Sequence, residues 1–370
     1  MLIKNKLFVL IVVNVLLTLG FWTIFKLNIP RQISFSNSNG VYDLWSNYDG
    51  PNYLVIAKCW YKYDCIRSGY SLSLPLEYYP AHLPGFPAVI AFFDIFTTGP
   101  WAMLFSTLLG NILLTYYFYK LLNLYIDPKK AFWISLLFTI FPGRLFATKM
   151  VGAPESMFVA SLLASIYYYK KDKSILSALF LGFAQSIKTP AVILLVAFVL
   201  HGFINKKIKN ILPHILVAGL TVFSIFTLYQ IQAGDFFAYF NSGDNRHLAG
   251  IPYQVFLSSQ TWVQTIWLEE ILYIFAISFF GIYYLHQQYK KDIVVIFSWL
   301  FTLALVFVGH RDISRYASPL YPFLYLAFAP VLVNKHTKLV FLLLLPAVIL
   351  YAINFIVGNT APVADWAPYL

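Results

Sequence analysis

Three short stretches of this chain carry side chains whose chemistry can be named from type and spacing. The first is Trp45-Ser-Asn-Tyr-Asp49-Gly-Pro-Asn-Tyr53-Leu-Val-Ile-Ala57. Asp49 there either caps the short amphipathic helix that should follow or acts as a general base on an acceptor hydroxyl. The second is Ala153-Pro-Glu155-Ser-Met-Phe158, which puts an acid at a helix start, where the macrodipole favours it. The third is Gly309-His310-Arg311-Asp312-Ile-Ser-Arg315-Tyr316, squeezed between two apolar runs. Arg311 and Arg315 are one helical turn apart, with His310 alongside. They either clamp a phosphate or form an interfacial pair with Asp312.

Other groups are candidates for the same work. Lys149 is the next cation in order of interest, followed by Arg144, Lys188 and Arg246; each also reads as surface charge near lipid headgroups. Glu77 and His82 are placed to touch an acceptor or a divalent ion, although a histidine beside prolines is equally a hydrogen-bonded structural residue. Cys59 and Cys65, the only cysteines, are either a disulfide closing a small ring or two free thiols. Their spacing is not that of a metal site, so no zinc is assigned. No Asp-x-Asp occurs, and pyrophosphate–metal chemistry has no support; whether another divalent ion takes part is left open.

The elements that must hold these groups are membrane helices. Of 370 residues, 60% are hydrophobic, 19% aromatic and 11% charged, about half the charged fraction of a soluble domain. Apolar content spread so evenly excludes a soluble enzyme, a DNA-binding domain and a single-pass receptor. No nucleic-acid partner is expected despite the net charge of +11. An all-α polytopic membrane protein is expected, one domain over residues 1–370, with about eleven transmembrane helices. The runs are Leu7–Leu27, Trp101–Leu124, Ala131–Ala147, Glu155–Tyr169, Ser174–Ile187, Ala191–Ile204, Ile211–Ile231, Glu269–His286, Ile293–Gly309, Ala317–Val333 and Leu339–Val357. Leu83–Phe96 is short, broken by Pro84 and Pro87, and reads as an interfacial or re-entrant helix.

With the amino terminus in the cytoplasm, Lys4, Lys6, Lys129, Lys130, Lys170, Lys171, Lys173, Lys206, Lys207, Lys209, Lys290, Lys291, Lys335 and Lys338 all fall inside. All six arginines then fall outside, with every acid except Asp127, Asp172 and Asp292. Arginine usually follows lysine inward, so arginines kept beside carboxylates point to paired or phosphate-binding groups on the outer face. Two outer segments are long, 28–100 and 232–268; the first is dense in aromatics and is expected to be ordered at the interface.

The motif Trp-x-x-x-Asp-Gly-x-x-Tyr-x-x-Ile-Ala at Trp45–Ala57, the stretch Tyr78-Tyr79-Pro80-x-His82-x-Pro84-Gly-Phe-Pro87, and Pro154-Glu155-Ser-Met-Phe158 together resemble the polytopic GT-C glycosyltransferases. Within these, the chain looks most like the mannosyltransferases related to the enzyme that adds the second mannose to glycosylphosphatidylinositol anchors. Protein O-mannosyltransferases and lipid A aminoarabinose transferases are more distant. The resemblance covers about the first 200 residues and implies a polyprenyl-phosphate sugar donor, an acceptor hydroxyl on a glycan, glycolipid or protein, and no required cofactor. It makes Asp49 the base and Glu155 the matching second carboxylate. By their own chemistry and position, Arg311, Arg315, Lys149 and His310 are the expected donor-phosphate groups, and Trp45, Tyr53, Glu77, Tyr79, His82 and Lys188 the expected acceptor- or donor-binding groups. Where that family has Arg-x-x-Gly, this chain has Lys188-Thr-Pro190-Ala, keeping the charge and losing the guanidinium fork.

The expected reaction is an inverting mannosyl transfer at the outer face of a prokaryotic plasma membrane. The rival from another class is a transporter or flippase of lipid-linked saccharides. Such proteins place ionisable groups near mid-span and break matching helices in two halves, whereas the charges here gather at outer ends.

Overall fold

The computed structural model describes residues 2–32, 37–70, 74–242, 250–263 and 268–370. Arg246, parts of the second long segment and the Lys4 side chain lie outside the described residues. Everything described is helix or connection; a lone antiparallel bridge, Asn47 with Thr360, is the only strand-like pairing among them.

After α1 (Leu2–Lys26) and a single turn, α2 (Ile29–Gln32), the first long segment folds into α3 (Val41–Trp45), α4 (Gly50–Cys59), α5 (Tyr63–Gly69), a 3-10 turn (Leu76–Ala81) and α6 (Gly85–Asp94). Its aromatics explain its order: Tyr53, Tyr61 and Tyr79 are buried. Cys59 and Cys65 form a disulfide, which settles the choice the spacing left open.

The body follows: α7 (Gly99–Leu122), α8 (Pro128–Ile140), α9 (Gly143–Lys149), α10 (Glu155–Lys170), α11 (Ser174–Ile187), α12 (Val192–Ile204), α13 (Leu212–Ala233), α14 (Ala238–Asn241), α15 (Glu269–Tyr289), α16 (Ile293–Val306), α17 (Ile313–Tyr316), α18 (Tyr321–Ala327), α19 (Ala329–Leu332) and α20 (Lys335–Val357). At the centre α7 packs on α6 and α10, and α10 on α11. Gly110 makes the α7–α10 approach possible, because a Cβ there would sit 2.8 Å from the Met157 backbone nitrogen. That crossing brings the start of α10, and so Glu155, up to the first long segment.

A helix occupies each expected run, but the lengths differ. Among the described residues four helices are long and apolar enough to cross a membrane: Asn5–Lys26, Gly99–Leu122, Ile208–Ala233 and Lys335–Val357. Pairing α8 with α9 gives a fifth, bent by 73°. The expected Ala131–Ala147 helix breaks there because Pro142 cannot continue it and holds Phe141 in an extended conformation, φ −110° and ψ 147°. Ala317–Val333 is likewise two short helices, each opening on a proline, Pro322 and Pro330. Averaged hydropathy passes over such breaks.

The charged groups collect at the two ends of α10, a sixteen-residue helix about 24 Å long. At its C-terminal end Lys170 pairs with Asp292 and Lys207 with Asp172, while the Tyr125 hydroxyl donates to Asp292 at 2.9 Å. At its N-terminal end lie Glu155 and the groups described next.

Candidate active site

Asp49 precedes α4, and Pro51 in the first turn favours a helix start there. Asp127 and Asp292 cap the helices they precede, each accepting a backbone N–H two residues on. Asp49 does not: its side chain makes no capping bond. The carboxylate instead faces His82 Nε2 at 3.7 Å and Arg315 Nη1 at 3.4 Å, leaving 19% of the side chain exposed. Capping, the simpler of the two readings of this residue, is therefore not its role. Burial alone would raise the Asp49 carboxyl, but the facing His82 and the charges of Arg315 and Lys188 outweigh it and hold it at about 2.

Arg315 is the hub. It sits on α17, whose start Asp312 caps by accepting the Arg315 N–H. Besides Asp49, its guanidinium reaches Glu155 through Nε at 3.6 Å and Asp312 at 3.8 Å, and 17% of the side chain is exposed. Glu155, 2% exposed, also takes a 2.6 Å hydrogen bond from Lys188 Nζ, while its second oxygen, Oε2, has no partner. Lys188 thus applies its charge to Glu155.

Sequence reasoning paired Asp312 with Arg311 or Arg315. The structure gives Asp312 chiefly to Arg144, which grips it with two hydrogen bonds, Nε–Oδ1 at 3.0 Å and Nη2–Oδ2 at 2.5 Å. The 73° bend before α9 delivers Arg144 to that point, and Phe355 of α20 backs the guanidinium with its ring at 3.9 Å. Proline two residues ahead of Arg144 is the signal that sequence reading passed over. Burial opposes the Asp312 charge, and Arg144 more than offsets it, so this carboxyl also lies below its usual range.

The cluster is balanced: Asp49, Glu155 and Asp312 against Arg315, Lys188 and Arg144. Arg311, by contrast, is exposed and makes no ion pair among the described residues. It borders an open cleft of about 770 Å³ that begins at Tyr48, Arg144, His310, Arg311 and Asp312. The cleft continues between Ile271 and Ile274 of α15 and Leu344, Ala347, Val348 and Tyr351 of α20. One end is polar and the walls are apolar. His310 accepts the Asp312 N–H at Nδ1, 3.0 Å, which places its proton on Nε2 when neutral.

Other expected site residues are placed differently. Lys149 is buried, and its ammonium donates to the carbonyls of Phe138 at 2.6 Å and Thr139 at 3.5 Å, closing the C-terminal end of α8. It is a helix-end donor rather than a group aimed at the cleft. Lys149→Met should therefore cost roughly 1–3 kcal/mol of stability, the penalty for orphaned buried carbonyls, while donor KM stays unchanged; thermal unfolding and donor titration check this. Tyr79 is fully buried, and Trp45 packs among Trp101 and Trp366 with little surface left, so both are packing residues here. Tyr53 sets its ring edge against His82 at 4.9 Å and so orients the imidazole facing Asp49. Glu77 is exposed on the 3-10 turn and joins no ion pair among the described residues. No group of three or more His, Cys, Asp or Glu positioned for a metal occurs among the described residues. The carboxylates converge on Arg315.

No protein-family profile matches the chain, and no curated protein does. Among solved structures, the oligosaccharyltransferase of Archaeoglobus fulgidus in its apo form superimposes with a TM-score of 0.52 at 13% identity over 94% of this chain. The same enzyme tethered to an acceptor peptide gives 0.50 at 14% identity over 95%. This chain spans 57% and 56% of the length of those chains. The likeness shows that this chain shares the helical fold of the matched part of that enzyme.

Proposed function

We propose that this chain is an integral membrane glycosyltransferase that moves a sugar, mannose by the resemblance of its motifs, from a polyprenyl-phosphate donor to an acceptor hydroxyl on the extracytoplasmic side of a prokaryotic plasma membrane. In this reading the eleven apolar runs are crossings, the short helices completing theirs through paired segments. The observation that carries it is the junction of two unlike features: a carboxylate, Asp49, held by Arg315, and beside it an apolar-walled cleft whose polar end holds Arg311, a guanidinium with no ion pair among the described residues.

The cleft suits an amphiphile with a long isoprenoid chain and one anionic group. The chain would lie between α15 and α20, and the phosphate at Arg311 and His310. Asp49 takes the proton of the acceptor hydroxyl as its oxygen attacks the anomeric carbon. The bond from that carbon to the phosphate oxygen breaks, and polyprenyl phosphate leaves with the electron pair on the opposite face, so the configuration inverts. A carboxyl held at about 2 is a weak base in the empty site. An anionic phosphate seated at Arg311 opposes the Asp49 charge by like-charge repulsion and so raises the basicity of Asp49 when the donor is present.

The test is transfer by purified protein in proteoliposomes supplied with radiolabelled polyprenyl-phosphate mannose and mixed acceptors. Label should pass to acceptor with release of polyprenyl phosphate; donor that crosses the bilayer intact would favour the transporter instead. In the same assay Arg311→Ala should raise donor KM about tenfold or more, the worth of a hydrogen bond to a charged group, with kcat within about threefold.

A further inference from the structure

The segment after α20 does not trail away from the molecule. It lies across the residues just ahead of Asp49. Tyr48 N–H donates to Asn359 O at 3.0 Å, and Ala361 N–H donates to Ser46 O at 2.7 Å. Between them Asn47 pairs with Thr360, and the Asn47 side chain donates to Ile356 O at 3.3 Å. Three consecutive residues are thus clamped from one side.

The clamp is itself anchored. Trp366 packs on Trp45 and Tyr42, with ring centroids 5.6 and 6.0 Å apart. Tyr369 is buried against Tyr70, whose hydroxyl donates to Pro368 O. Its backbone lies so near Gly99 that a Cβ there would come within 2.4 Å of Tyr369 O, so only glycine admits the segment.

The clamped residues need holding. Tyr48 has φ +40°, a left-handed conformation unusual for an aromatic residue, which persists where surrounding bonds impose it. Asp49 follows directly and has no capping bond to fix its side chain. Tyr48 and Asn359 also border the cleft, so the clamp touches the cleft at the residue just ahead of the carboxylate.

We propose that residues 358–370 are a positioning strap: by holding Ser46–Tyr48 they aim Asp49 at His82 and Arg315, and Trp366 is the residue that seats the strap. Its catalytic consequence rests on the glycosyl-transfer reading; the clamp itself does not.

The experiment compares full-length wild type, Ala361→Pro, which removes the donor to Ser46, Trp366→Ala and the conservative Trp366→Phe, all in nanodiscs. Amide hydrogen exchange over residues 46–50 should quicken about tenfold or more in the first two variants and not in Trp366→Phe. With polyprenyl-phosphate mannose as the probe, kcat should fall roughly 10- to 100-fold at unchanged donor KM, as expected for a misplaced base. The acid limb of the pH–rate profile should move to higher pH as Asp49 loses its cationic neighbours. Trp366→Phe should recover most of the rate. Unchanged exchange at 46–50 in both disruptive variants overturns the strap whatever the activity. Faster exchange with an unaltered kcat overturns its positioning role. Should wild type move no sugar, the glycosyl-transfer reading fails while the exchange result still decides the clamp.

Discussion

Asp49→Asn is expected to lower kcat about a thousandfold while donor binding survives. A positioned general base contributes roughly 10²- to 10⁴-fold, and asparagine keeps the size and the capacity to bond His82 while removing the basicity. The loss cannot be blamed on the start of α4, since the Asp49 side chain caps nothing. The variant does forfeit an ionic contribution to stability. With the folded-state carboxyl at about 2, against about 3.9 when unfolded, the wild-type charge stabilises fully above pH ~4, and that contribution disappears as pH falls toward 2. Thermal unfolding should therefore show Asp49→Asn roughly 2 kcal/mol less stable at pH 7 and equal to wild type near pH 2, a size discounted little because the group is mostly buried. Retention of more than a tenth of the wild-type kcat removes Asp49 from the mechanism.

Replacing Arg315 should do more harm to the fold than any other single change in the cluster. Arg315→Met leaves Glu155 with Lys188 and Asp312 with Arg144, but it leaves Asp49 with His82 alone. Removing one partner from a buried ion-pair network typically costs about 3–5 kcal/mol, and both unfolding temperature and transfer should collapse together. Arg315→Lys separates charge from shape. The guanidinium presents Nη1 to Asp49 and Nε to Glu155 at once, from two sides of a rigid plane. An ammonium is a point charge that satisfies one of them well. The lysine variant is expected to fold, with the unfolding temperature partly restored, and to turn over at less than about a hundredth of the wild-type rate. A lysine variant within about threefold of wild type would show that charge alone suffices and that the shared fork does nothing.

Residues that the sequence singles out by type and by helix end are ones that the fold brings together. Asp49, Glu155, Lys188 and Arg315 are far apart in the chain and were singled out for their chemistry; in the fold they lie within ion-pair distance of one another through Arg315 and Lys188. The all-helical architecture was equally readable, because helices and closed barrels alone satisfy the backbone of so apolar a chain and its runs lack the apolar/polar alternation of barrel strands. What stayed hidden depends on direction. Lys149 and Arg144 sit on the same short helix, yet one turns back to carbonyls of α8 and the other forward to Asp312. Hydropathy does not see a 73° bend. Nor does it see that Trp45, in a long loop, packs under Trp366 of residues 358–370, a segment with no periodic pattern to mark it. The cleft was illegible for the same reason: its walls come from α15 and α20, whose exposed apolar faces look in sequence like any lipid-facing surface.

In the proposed reaction the donor phosphate goes to Arg311 rather than to the clustered cations. Arg315, Lys188 and Arg144 each already have a carboxylate, and taking one of them away would uncover a buried charge. An exposed guanidinium at the mouth of an apolar cleft carries no such debt.

The most direct measurement follows a ¹³C-labelled polyprenyl-phosphate sugar in proteoliposomes by NMR, with wild type and Asp49→Asn compared on the same donor. Wild type is expected to convert it to a glycoside of inverted anomeric configuration with one polyprenyl phosphate released per sugar moved, and the variant to leave it essentially intact. Equal conversion by both proteins, or retained configuration in the product, would contradict a base-assisted, inverting transfer at Asp49.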